Sequence, residues 1–282
     1  MKDYIMKDKV YSLQNAIMEF PTWDLLKGLI AEETSLGFPL INFGKKPMTK
    51  PDKTIIPVIG TTSLTKGHEY IGFDAPVLLR PLKGGLGKTI VIVGETPLRE
   101  MKDFNNPDII LLGTPFAIHQ EFDKPSRCNI YKEIFSGLLA KGYNVYITDI
   151  IKVWWKGKKK NNMKANDTDK ELFRKEIDRI KKEKGELGKD VFIVAWGKTA
   201  ENELNNLEEY TNKFKAMLHP GHLNWNNWKL HIFEKAIYEK KDMNYVTKIY
   251  PDSKCTTTEV VVANEAVKEI LEWVKKNHQP SW

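Results

Sequence analysis

The run Thr89-Ile-Val-Ile-Val93 limits the folds open to this chain more than any other stretch. Each of its residues is β-branched, stiff at χ1 and suited to an extended backbone, and no polar residue alternates with the apolar ones. Such a strand is buried on both faces, as strands of parallel sheets are. Beyond it the pattern alternates: a helix over about 129–141, a strand over Tyr143–Thr148, a helix over about 168–184 and a strand over Val191–Ala195. Ile130, Ile134, Phe135, Leu138 and Leu139 form one core-facing helical stripe, and Leu172, Phe173, Ile177 and Ile180 a second. Gly197-Lys-Thr-Ala200 opens a further helix, and Lys215–Leu218 leads into His219-Pro-Gly-His-Leu-Asn-Trp225. This alternation implies an α/β fold with parallel strands joined by right-handed crossovers. Residues 1–86 read as an N-terminal extension packed on or near the core, and 87–282 as the regular domain. Within the extension, helical patches include Thr22–Ile30, with Thr22 or Asp24 as caps, and the composition turns loop-like over 43–70.

Just before the strand, Lys83-Gly-Gly-Leu-Gly-Lys-Thr89 resembles the variant phosphate loop of ParA-like and MinD-like ATPases. A phosphate loop has to open a helix, whose unpaired N–H groups and positive dipole end hold the anion. A strand follows here, which favours a plain glycine turn; an ATPase would need nucleotide binding that depends on Lys88. Gly94-Glu-Thr-Pro97, after the strand, is better placed, because parallel sheets bind ligands at the carboxyl ends of their strands. Cys128 and Cys255 are the only cysteines, so no disulfide framework and no four-cysteine zinc or iron–sulfur site can form within one chain. That points to a reducing, cytoplasmic setting with no metal or cofactor. No apolar run reaches membrane-spanning length, and a net charge of +7 leans toward polyanionic partners.

Four segments fall in order at strand ends: Gly94-Glu-Thr-Pro97, Gly113-Thr-Pro-Phe-Ala-Ile118, Tyr146-Ile-Thr-Asp-Ile-Ile-Lys152 and His219-Pro-Gly-His-Leu223. Together with Ala195-Trp-Gly-Lys-Thr-Ala200, this series resembles the uracil-DNA glycosylase superfamily over roughly 87–240. It is most similar to the branch carrying Gly-Glu-Ala-Pro-Gly, Pro-Phe-Val-Gly, Tyr-Ile-Thr-Asn and His-Pro-Ser, without that branch's iron–sulfur cysteines. The resemblance implies a three-layer α/β/α domain around a short parallel central sheet, acting as a monomer on DNA, with a flipped nucleotide held at the strand ends.

By that resemblance His219 hydrogen-bonds the base oxygen next to the glycosidic bond, Phe116 stacks on the base, Glu95 orients the attacking water and Thr96 assists it. Each has a structural alternative: a satisfied histidine beside a proline turn, a core phenylalanine, a loop-capping glutamate. Trp154, Lys156, Lys158 and Lys159 interleave aromatics with cations near the DNA entrance, although a solvated lysine run beside core tryptophans has the same composition. Leu223 matches the apolar wedge that fills the vacated stack, flanked by His222 and Trp225. Gly221 stands where the motif has serine, and Leu98 where it has tyrosine or glycine.

Asp149 is the most informative departure, since uracil-specific relatives have asparagine at that place. Cytosine presents an amino donor at N4 and an acceptor at N3, the reverse of uracil, and a carboxylic acid matches it better than an amide does. The resemblance with this change implies a glycosylase for a modified cytosine, such as a hypermodified phage base. A uracil-DNA glycosylase of base-excision repair and an inactive binder of modified or damaged DNA are the alternatives. Asp149 as the cap of a turn is the structural one.

Overall fold

The structure, a computed structural model, describes residues 16–22, 24–25, 55–57, 70–95, 109–118, 130–155, 164–221, 227–228, 230–231 and 257–277. Its strands are β1 (Ala16–Glu19), β2 (Ile55–Pro57), β3 (Tyr70–Asp74), β4 (Val77–Pro81), β5 (Thr89–Gly94), β6 (Ile109–Gly113), β7 (Asn144–Asp149), β8 (Val153–Trp155), β9 (Val191–Trp196) and β10 (Phe214–Met217). Its helices are α1 (Ile130–Ala140), α2 (Asp167–Lys184), α3 (Lys198–Asn205) and α4 (Thr257–Asn277). The main sheet runs β1-β4-β7-β5-β9-β10. Its neighbours β7, β5, β9 and β10 are parallel, while β4 joins β7, and β1 joins β4, antiparallel.

Side chains alternate across a strand, and the two faces of this sheet bury separate cores. Ile90, Ile92, Val145, Ile147, Phe192, Val194 and Trp196 point to one face, where α1 and α4 cover them. Val91, Val93, Tyr146, Ile193 and Ala195 point to the other, under α2 and α3. Three layers result, because the unbroken apolar run of β5 leaves neither face for water. The α1–α4 packing is close: a Cβ on Gly137 would come within 2.9 Å of Val267.

β1 and β4 both come from residues 1–86. Farther along that segment, the Thr22 hydroxyl hydrogen-bonds the buried Tyr146 hydroxyl at 2.9 Å and Asp24 pairs with Arg179. Thr22 and Asp24 thus tie the N-terminal segment to β7 and α2; residues 23 and 26–30 of the helical patch expected there lie outside the described residues.

A second sheet, β2-β6-β3-β8, connects to the first through residues 75–76 and 150–152. It was not foreseen, and it carries the Gly113-Thr-Pro-Phe segment off the end of β6. The glycine loop at 83–88 lies at the amino end of β5, pinned by the Leu86 N–H donating to the Gly142 carbonyl at 2.7 Å. A strand and no helix follows it, so the loop lacks the helix N-terminus that a phosphate site requires.

Under the carboxyl end of β7 lies a buried ion pair. Lys152 Nζ is 3.0 Å from Glu176 Oε2, and both side chains are essentially inaccessible to water. The ammonium also donates to Thr148 Oγ1 at 2.5 Å and to the Asp149 carbonyl, while Thr148 donates to Glu176 at 2.9 Å. Burial pushes the Glu176 carboxyl up, and the Lys152 charge opposes that shift.

Candidate active site

Strand register sets the floor of the site. Gly94 ends β5 directly beside Asp149, which ends β7, and both continue the alternation of the α1-side face. The Asp149 side chain, almost fully buried, lies over Gly94 in the space where a side chain would otherwise stand. A Cβ on Gly94 would overlap the Asp149 carboxylate and come within 2.9 Å of Phe116 Cζ. The glycine is therefore what allows carboxylate and phenyl ring to converge. Gly94→Ala is expected to displace both and abolish specific binding of a flipped base, with little change in general DNA affinity; titration with base-modified and unmodified oligonucleotides checks this.

Phe116 occupies a single 3-10 turn, Pro115–Ala117, that follows β6, and its backbone is left-handed at φ 56° and ψ 18°. This region is uncommon for a bulky residue and costs about 1–3 kcal/mol, so the ring is held in place by what surrounds it. It stacks on Tyr131 at 4.7 Å between centroids, and meets the edge of Trp196 at 5.2 Å and the ring of His219 at 5.9 Å. Trp196, at the end of β9, is stacked on Phe135 of α1, anchoring the group in the core.

His219 follows β10 after one residue. Its Nδ1 accepts a hydrogen bond from the Gly221 N–H at 3.1 Å, which puts the ring hydrogen on Nε2 in the neutral imidazole. Its carbonyl accepts from the buried Trp228 indole at 3.2 Å. Both contacts hold the turn and the direction of the ring, with the imidazole hydrogen on Nε2.

Glu95 stands one residue past β5 and is half-buried. Its carbonyl accepts from the Ile151 N–H and that of Gly94 from the Ile150 N–H, each at 3.1 Å. The exits of β5 and β7 are thereby stitched together by backbone. The structure thus brings Phe116 and Asp149 together over Gly94 and His219 against Phe116, with Glu95 one residue past Gly94. Trp154 lies in β8, paired with Gly72 of β3. Thr96, Lys156, Lys158, Lys159, His222, Leu223 and Trp225 lie outside the described residues.

Two aromatic members of the site were not anticipated, Tyr131 and Trp196. Burial, reinforced by the charge of Asp149, pushes the Tyr131 phenol up to about 12, so it stays protonated. Trp196 stands in the Ala195-Trp-Gly-Lys-Thr-Ala200 motif but had been given no role of its own, and Tyr131 immediately follows the first residue of an ordinary helical stripe. Among the described residues no group of three or more His, Cys, Asp or Glu could hold a metal, and no helix is long and apolar enough to cross a membrane.

A cluster of aromatic rings beside one carboxylate and one imidazole has the chemistry to hold a planar heterocycle bearing hydrogen-bonding edges. Compared with known proteins, residues 83–247 match the family model of the uracil DNA glycosylase superfamily. No curated protein and no solved structure matches the chain.

Proposed function

Since the chain belongs to the uracil DNA glycosylase superfamily, whose members are DNA glycosylases, we propose that it hydrolyses the N-glycosidic bond of a flipped modified cytosine and leaves an abasic site. The observation that carries this reading is the Asp149 carboxylate lying over Gly94 at the edge of the Phe116 ring. Protonated, Asp149 donates to cytosine N3 and accepts from the N4 amino group; ionised, it pairs with an N3-protonated cytosine. Uracil would set its O4 against the carboxylate, a desolvated contact of two acceptors that costs a few kcal/mol. An enzyme that removed ordinary cytosine would destroy its own genome, so the substrate is a modified cytosine, as in phage DNA, and defence against phage is the corresponding role.

In this reading the base stacks against Phe116, an interaction worth about 1–3 kcal/mol. Glu95, with Thr96, orients a water and takes its proton as the oxygen bonds to C1′. The N-glycosidic bond breaks with its electron pair passing to the base, and His219 Nε2–H stabilises the charge on the adjacent base oxygen. Trp154, Lys156, Lys158 and Lys159 engage the DNA strand, and Leu223, with His222 and Trp225, fills the gap the base leaves.

The test incubates the protein and its Asp149→Asn variant with oligonucleotides containing uracil, cytosine, 5-hydroxymethylcytosine or glucosylated hydroxymethylcytosine, and scores alkali-labile breaks. Wild type is expected to cleave only at a cytosine derivative, and Asp149→Asn to move the preference toward uracil by about 10- to 100-fold, the worth of one bidentate base contact. Uracil excision by wild type would replace this reading with repair. DNA binding without excision of any base would replace it with a binding module.

A further inference from the structure

We propose that Tyr131 is a positioning residue that works as one unit with Gly221 and His219, its ring backing Phe116 and its hydroxyl occupying the space that decides where the His219 ring lies. The observation behind it is the packing around Gly221. A Cβ there would come within 2.9 Å of the Tyr131 hydroxyl oxygen, 2.9 Å of His219 Nδ1 and 3.0 Å of His219 Cε1. Phenol and imidazole therefore close on the same point from two sides, and only a residue without a side chain fits between them. The rings also meet directly, edge to face, with centroids 5.8 Å apart.

On its other side the Tyr131 ring stacks on Phe116 at an interplanar angle of 29°, and the left-handed backbone of Phe116 needs a partner to hold it. Trp196 lies 6.0 Å from Tyr131 and 5.2 Å from Phe116, so the stacked pair is braced by one core residue. One side chain thus links the stacking ring to the imidazole turn. The phenol keeps its hydrogen, so the link is neutral and does not respond to pH across the physiological range. Glycine at 221, where the resembling motif has serine, is the counterpart of a tyrosine at 131: with this tyrosine in place a serine Cβ would push the imidazole off its axis.

The interlock itself rests on the free protein alone, and only its effect on turnover rests on the glycosylase reading, so two readouts separate them. In the ligand-free protein, the ring-nitrogen NMR signals of His219 should move in Gly221→Ala and return toward wild-type positions in Gly221→Ala/Tyr131→Phe, where the phenolic oxygen is gone. Tyr131→Phe alone, a one-atom deletion, should also move them. In single-turnover excision, Gly221→Ala should lower the rate about tenfold or more, and adding Tyr131→Phe should restore about fivefold, a coupling of the size found for residues in contact. Tyr131→Leu should instead raise KM, because Phe116 loses its backing, while Tyr131→Phe leaves KM in place. Unmoved His219 signals in both single variants, or rate losses that simply multiply, would overturn the proposal. A wild-type protein that excises no base defeats the functional reading, and the nitrogen signals then decide the interlock by themselves.

Discussion

His219→Ala is expected to slow excision of the accepted base by about 10²–10³-fold in single turnover, the usual cost of removing one donor aimed at developing charge. The base-binding constant should change little, because stacking on Phe116 and the contact to Asp149 remain. The size of the effect follows from preorganisation. With Nδ1 committed to the Gly221 N–H and the carbonyl to the Trp228 indole, neither the tautomer nor the ring direction has to be selected when the bond breaks. His219→Gln, which keeps a donor but not its fixed direction, should fall between alanine and wild type. If alanine retained a third or more of the rate, leaving-group stabilisation would have to come from another residue.

The second large effect concerns stability. Lys152→Met leaves Glu176 buried without its cation and is expected to cost about 3–5 kcal/mol, read as a lower urea midpoint at neutral pH. Most of the loss comes from the stranded carboxylate, so Lys152→Met/Glu176→Gln should regain a substantial part. The pH dependence has a definite sign. The Glu176 carboxyl is already raised by burial and rises further without Lys152, so the folded variant binds a proton more tightly than the unfolded chain. The deficit should shrink in mild acid, where Glu176 of the folded variant carries a proton, and grow as pH climbs to the raised value. A midpoint deficit equal at pH 5 and pH 8 would contradict it. Activity should suffer as well, since Lys152 also holds the carbonyl of Asp149.

Much of the parallel core was legible because β5, β7 and β9 are apolar throughout and the helices between them carry regular stripes. The observed elements begin and end within a residue or two of their expected bounds: Asn144–Asp149 against Tyr143–Thr148, for example, and Ile130–Ala140 against 129–141. β4 escaped because Val77-Leu-Leu-Arg-Pro is short and ends in Arg-Pro, and β1 because Ala-Ile-Met-Glu has no period of its own. Both are defined by pairing with distant strands, which local propensity does not encode. Motif order marked Asp149, Phe116 and His219. That the first two meet over Gly94 depends on the register of β5 with β7, and the conformation of Phe116 on contacts from three other elements. Tyr131 had no local mark, because its significance comes from Gly221, far along the chain.

The antiparallel attachment of β4 to β7 has a practical side. A chain trimmed to the family-matched residues 83–247 would lose β1, β4 and α4 together. The hydrogen-bonding edge of β7, with Asp149 at its end, would then be bare, and one apolar face of the sheet would lose its α4 cover. An uncovered edge on an apolar strand recruits strands from other molecules. The matched segment alone would therefore self-associate through the very strand that bears the base-reading carboxylate, and the flanking segments act as its built-in guards against aggregation.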